Sequence, residues 1–246
     1  MKLLIDIGNT NCYIAVTEQE KIRKRYFIHT GKKELCPTSL KRLMGRDLRR
    51  IDDIVIVSVV PKFLQLVKKS LKSVFPKVRV RVVGGDIKVP MKIRYKKPKE
   101  VGQDRIVTAY AAAQLVGTPV LTVDFGTAVT MDYINAKGDY EGGLIFPGLR
   151  LAMGSLSREA ALLPRIDLKP TKTLIGRDTA SSMNNGILYG YASMCDGLIG
   201  RFRDKYGKKL KIVATGGDAE LVSRYSRHIK KVLPDLIISG LSILTR

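Results

Sequence analysis

The chain has 246 residues, 45% of them hydrophobic, enough apolar matter for one large folded domain or two smaller ones and too much for a disordered chain. Its 44 Lys and Arg outnumber its 22 Asp and Glu to leave a net charge of +22 at pH 7, and no apolar run approaches the roughly 18 residues of a membrane-spanning helix. The opening MKLLIDIGNT runs directly into an apolar strand without a leader pattern, so a cytoplasmic protein that makes no use of a membrane is expected.

The first elements alternate and are rich in β-formers: KLLIDIG (2–8), CYIAVTE (12–18) and KIRKRYFIH (21–29), with Gly8-Asn9-Thr10 and a polar stretch at 18–21 as turns. They predict an antiparallel meander. A helical stretch near Thr38–Met44 follows, then a buried strand in IDDIVIVSVV (51–60). Pro61 opens a helix with apolar positions 63, 64, 67, 71 and 74 on one face, and VRVRVV (78–83) is the next strand. Residues 84–101 are loop-like, and a helix over about 103–116 ends at Gly117 and Pro119.

There the pattern restarts. VLTVDFGTAVTMDYI (120–134) repeats LLIDIGNTNCYIAV (3–16): in each an Asp closes an apolar strand, a Gly turns the chain, and small polar residues lead into a second strand. DYEGGLIFPG (139–148) supplies a third strand, helices follow near 149–160 and from about Thr179 to Lys205, KIVATGG (211–217) is a late strand, and a last helix covers about Leu236–Leu244. A repeat half the chain long predicts two α/β lobes, residues 1–117 and 118–246, with a ligand cleft between them.

Several side chains suit anion chemistry. Asp6 at a strand end can bind Mg²⁺ directly or through water, Gly8 admits a phosphate close to the backbone, and Asn9, Thr10 and Asn11 offer donors. Taken alone, an ordinary hairpin with an Asn-rich turn explains them equally well; the second copy at Asp124-Phe125-Gly126-Thr127 weighs against that. This DFG is not a protein-kinase signature, because no HRD-type loop, VAIK strand or P-loop accompanies it. Gly102-Gln103-Asp104-Arg105 starts a helix. A general base beside an anion-binding guanidinium is one reading, and an acidic first turn favouring the helix dipole is the plainer one. The glycines at 142–143, 148 and 216–217 permit close backbone approach and are as readily ordinary turns. Cys12, Cys36 and Cys195 are too dispersed for a disulfide framework or zinc site, and His29 and His228 stand alone.

Together the motifs DIGNTN (6–11), VGQDRIVTAYAA (101–112), VDFGTAVTMD (123–132), GGLIFPG (142–148), DTASSMNNGILYG (178–190) and ATGGDA (214–219) resemble, in order and over the whole chain, the type III pantothenate kinases of the acetate and sugar kinase/Hsp70/actin superfamily. The resemblance implies an α/β fold of duplicated actin-like (ribonuclease H-like) lobes with mixed sheets. It implies ATP-dependent phosphorylation of pantothenate to 4′-phosphopantothenate, the first step of coenzyme A biosynthesis, with Asp104 as general base. ATP would be held by Asp6, Ile7, Gly8, Asn9, Thr10, Asn11, Cys12, Tyr13 and Thr127. Pantothenate would be held by Tyr95, Gly102, Gln103, Asp104, Arg105 and Thr179. Mg²⁺ would lie near Asp6, a monovalent cation (K⁺ or NH₄⁺) at Asp124, and the chain would form a homodimer through the helix that starts at Thr179. One departure stands out: Gln103 replaces the alanine of the family's Gly-Ala-Asp-Arg motif. The basic residues are scattered without interleaved aromatics. A solvated surface that draws in anionic substrates is therefore preferred to a nucleic-acid site, and a non-catalytic regulator or nucleic-acid-binding protein on the same fold is the alternative.

Overall fold

The computed structural model describes residues 1–31 and 35–246. By contacts the chain falls into two compact units, Met1–Met91 with Lys96–Ala111 and Leu236–Arg246, and Lys92–Tyr95 with Ala112–Asp235.

The first unit is built on a five-stranded sheet. Strands β1 (Lys2–Ile7), β2 (Asn11–Glu18) and β3 (Lys21–His29) form the expected antiparallel meander, and β4 (Asp53–Ser58) and β5 (Arg79–Val82) add in parallel on the far side of β1, in the order β3-β2-β1-β4-β5. Strict alternation divides the strands between two cores. Leu3, Ile5 and Ile7 pack with Leu40 and Met44 of α1 (Pro37–Met44) and with Phe63, Val67 and Leu71 of α2 (Pro61–Val74). On the opposite face Leu4, Tyr13, Val55 and Val57 pack with Val107 of α3 (Gln103–Val116) and with Ile238 and Leu241 of α7 (Leu236–Ile243). Leu64, expected among the inward positions of α2, is only half-buried.

The second unit repeats the plan with one strand fewer. Strands β6 (Val120–Phe125), β7 (Ala128–Ile134) and β8 (Tyr140–Pro147) are antiparallel, and β9 (Lys211–Thr215) pairs in parallel with β6, giving β8-β7-β6-β9. Leu121, Val123 and Phe125 pack with α4 (Leu149–Glu159), α5 (Thr179–Tyr206) and α6 (Ala219–Ser223) through Met153, Leu188, Cys195 and Val222.

A single cut after residue 117 is expected from the sequence, but the contacts divide the chain differently. Residues 236–246 belong with the first unit, because the apolar helix α7 fills the core under β1 and β4. Residues 92–95, expected as loop, belong with the second: Ile93 bridges Tyr140 in parallel, and Arg94 N donates to Tyr140 O at 2.8 Å, so the segment extends that unit's sheet beside β8. Among the described residues no helix is long and apolar enough to cross a membrane.

Candidate active site

In the first unit, β1 ends at Ile7 and the chain turns through Gly8, whose N–H donates to Asn11 O at 3.0 Å. Thr30 holds the turn from outside: its Oγ1 donates to Gly8 O at 2.7 Å and its N–H to Thr10 O at 2.9 Å. Asn9 and Asn11 are exposed, whereas Ile7, Cys12 and Tyr13 are buried. Burial, and then the nearby Asp6 charge, push the Cys12 thiol up to about 12, so it stays a neutral core side chain. Tyr13 stacks on its cross-strand partner Phe27 with ring centroids 4.4 Å apart.

The Gly102–Arg105 motif comes to the same edge of that sheet. Val59, the residue after β4, donates its N–H to Ile7 O at 3.1 Å, and a Cβ built on Gly102 would lie 3.5 Å from Val59 Cγ1. A Cβ there would displace Asp104 Oδ1, which folds back toward Gly102 and accepts the Arg105 N–H at 2.8 Å, so a larger residue would redirect that carboxylate. The directions of the two carboxylates also agree. Asp6 lies on the Leu4 side of β1 by alternation, and Asp104 is one helical turn before Val107, which packs on Leu4.

In the second unit, the turn after Asp124 is closed by one bond of its own and enclosed by two loops. Gly126 N donates to Ala128 O at 3.1 Å, Gly148 N to Thr127 O at 3.0 Å, and Asp218 N to Phe125 O at 3.3 Å. Gly216, with φ +92°, lies directly on the Asp124 carboxylate. The largely buried Asp218 carboxylate accepts from the Arg150 guanidinium at 3.0 Å. Tyr95 is carried by this unit, its ring 3.4 Å from a Cβ built on Gly142. Thr179 makes no hydrogen bond with the Asp124 turn; it is exposed at the start of α5.

Asp178 caps α5. Its Oδ1 accepts Ser181 N–H at 2.8 Å while Ser181 Oγ accepts Asp178 N–H at 3.2 Å, a reciprocal capping box. The Ser181 backbone N–H and then its hydroxyl hold the Asp178 carboxyl below its usual range. A carboxylate depressed in this way stabilises the fold above its unfolded pKa, and that contribution disappears as pH falls through the folded one. Asp178→Ala is therefore expected to lower the melting temperature at neutral pH, with the gap to wild type closing on acidification. An equal gap in melts at every pH would refute the cap.

One buried polar pair has no prominence in the sequence. Asp132 on β7 is 2% exposed, and Tyr140 Oη donates to its Oδ1 at 2.6 Å. An acid inside the run VTMDYI, where both faces of the strand are buried, is the only signal that marks it.

Two mixed sheets of matching order, each with an aspartate closing an inner strand before a glycine turn, define an actin-like α/β protein. Solved structures share that fold. A Campylobacter jejuni protein described as a conserved putative Baf family transcriptional activator superposes with a TM-score of 0.61 at 20% identity, covering 98% of this chain and 96% of that one. MreB5 of Spiroplasma citri bound to ADP gives 0.55 at 12% identity over 98% and 95%. The family model described as type III pantothenate kinase matches residues 2–201. The type III pantothenate kinase of Geotalea daltonii is 38% identical over 250 residues, 99% of this chain and 97% of the relative. The chain belongs to the type III pantothenate kinase family.

Proposed function

We propose that this protein transfers the γ-phosphate of ATP to the primary hydroxyl of pantothenate, giving 4′-phosphopantothenate. Family membership supports the reaction, and one observation carries the assignment of its residues: the Asp6–Asn11 turn and the Gly102–Arg105 motif meet at a single sheet edge through Val59. Phosphoryl transfer asks a protein mainly for positioning and for compensation of charge. Asp104 takes the proton from the pantothenate hydroxyl as its oxygen bonds to the γ-phosphorus and the bond to the departing ADP oxygen breaks. Arg105 holds an anionic oxygen with its planar fork. Donors of residues 6–13 and Thr127 receive the ATP phosphates. Tyr95, Gly102, Gln103 and Thr179 line the pantothenate side.

The residues present fit the two cations that this reading includes. Among the described residues no cluster of three His, Cys, Asp or Glu side chains could hold a metal alone. Mg²⁺ at Asp6 would thus take most of its ligands from phosphates and water, as is usual for that ion. Asp124 Oδ1 and Phe125 O both lie against the Gly216 backbone, oxygen donors of the kind a hard monovalent cation takes. Bound there, the cations would supply positive charge against the phosphate oxygens.

The protein acts in the cytoplasm as a homodimer. Leu162, Ile175 and Leu174, exposed by 93, 77 and 65%, give the second unit apolar surface suited to a second copy. The test is ADP formation by the purified protein from ATP and pantothenate with and without K⁺, against a panel of sugars and other hydroxy acids, with sedimentation to read the assembly. Pantothenate-dependent turnover is expected. Turnover only on a sugar, or none together with tight salt-dependent binding of nucleic acid, would overturn the reading.

A further inference from the structure

Gln103 is the position where this chain departs from the alanine of the motif it resembles, and its side chain is directed to the turn that follows β5. That turn is closed tightly. Gly84 N donates to Ile87 O at 2.8 Å, Asp86 N and Ile87 N donate to Val82 O at 2.8 and 3.1 Å, and Asp86 Oδ2 accepts Val82 N–H at 2.8 Å. Val83 and Ile87 anchor it in the same core as Val107 of α3. Gly84 has φ +88°, and a Cβ built on it would lie 2.9 Å from Gln103 Cγ and Cδ and 3.1 Å from Oε1. The Gln103 chain therefore lies flat against the Gly84 backbone, in space that any other residue at 84 would occupy.

The first turn of a helix is its weakest part, because its leading N–H groups have no partner within the helix. Here Ile106 N reaches Gly102 O at 3.3 Å, a long bond for the first one of α3. A side chain braced on a rigid neighbouring turn limits fraying at that point.

We propose that Gln103 is a positioning residue: braced on the Gly84 turn, it fixes the first turn of α3 and so the direction of the Asp104 carboxylate. The inference rests on Asp104 being the proton acceptor. Its consequence is a split in the kinetics. The carboxylate remains when Gln103 is cut back, but it spends less time aligned, so kcat falls and the KM for ATP does not.

The experiment is a cycle of Gln103→Ala, Gly84→Ala and the double variant, with Gln103→Met as the conservative replacement, each measured for kcat, both KM values and melting temperature. Gln103→Ala is expected to lower kcat about tenfold, in keeping with the cost of slight misalignment of a reacting group. Gln103→Met, which keeps the chain length over Gly84, should recover most of it. Gly84→Ala should lower kcat when Gln103 is present and have much less effect in the Gln103→Ala background, since the two share one contact. Unchanged kcat in Gln103→Ala, additive losses across the cycle, or a loss that merely follows the unfolded fraction in the melts would overturn the proposal. Failure of the underlying assignment appears elsewhere, as full activity of Asp104→Asn.

Discussion

Replacing Asp104 by Asn is expected to reduce kcat by about a hundred- to ten-thousand-fold while the melting temperature and the KM for ATP stay at wild-type values, the range typical for loss of a general base. The separation follows from the local geometry. Asp104 Oδ1 accepts the Arg105 N–H at 2.8 Å, and an amide oxygen accepts the same bond, so the first turn of α3 keeps its internal contact. The space over Gly102 that receives the carboxylate receives an amide of equal size. The variant keeps the size and the Arg105 bond of the side chain and loses its negative charge, and with it the ability to accept a proton. Steady-state kinetics with saturating ATP, paired with a thermal melt, decides the matter. An Asn variant that turns over within a few-fold of wild type would remove Asp104 from proton transfer and leave it as a charged residue of a helix start.

The parts of this site that lie near one another in the chain are legible in the sequence. Asp6 and Asp124 each close a strand before a glycine turn, and period-two alternation with a turn signal is local information that survives folding: Asp6 pairs with Tyr13 and Asp124 with Thr130 in the two antiparallel hairpins. The helix start at Gln103 is legible for the same reason.

What escapes is assignment of segments to units. Residues 91–95, Met-Lys-Ile-Arg-Tyr, do alternate, but the run is short and set among Lys and Pro, and they join a sheet edge through backbone bonds to Tyr140 and ion pairs from Arg94 to Asp139 and Glu141, a choice of partner that no local pattern records. The run LIISGLSI announces a buried helix but not which sheet it covers; that depends on Ile238 and Leu241 meeting Leu4 and Val55, more than 180 residues away in the chain. The space over Gly84 belongs to this class too. A glycine after a strand reads as a turn, and only coordinates reveal that Gln103 lies in it.

Two adjacent glycines should behave in opposite ways. At Gly216 the backbone has φ +92°, a region that L side chains seldom adopt, and an added Cβ would meet Asp124 Oδ1, Phe125 O at 2.6 Å and Phe125 C at 2.7 Å. Two of these three atoms are backbone of a central strand and cannot move aside cheaply. Backbone strain and overpacking each cost about 1–3 kcal/mol, so Gly216→Ala is expected to destabilise the fold by about 3 kcal/mol. In a chain of this size that corresponds to a fall of about 10 °C in the melting temperature. At Gly217 a Cβ meets nothing within 4 Å, and Gly217→Ala should melt close to wild type. The relaxation available to the Gly216 variant is displacement of the Asp124 turn, so its surviving activity should need more K⁺ for half-activation if Asp124 holds that ion. Thermal melts and a K⁺ titration on both variants read the two effects separately. Equal melting temperatures for the pair would contradict the packing of the glycine turn on β6, and a normal K⁺ response in a destabilised Gly216→Ala would detach the cation from Asp124 while leaving the packing intact.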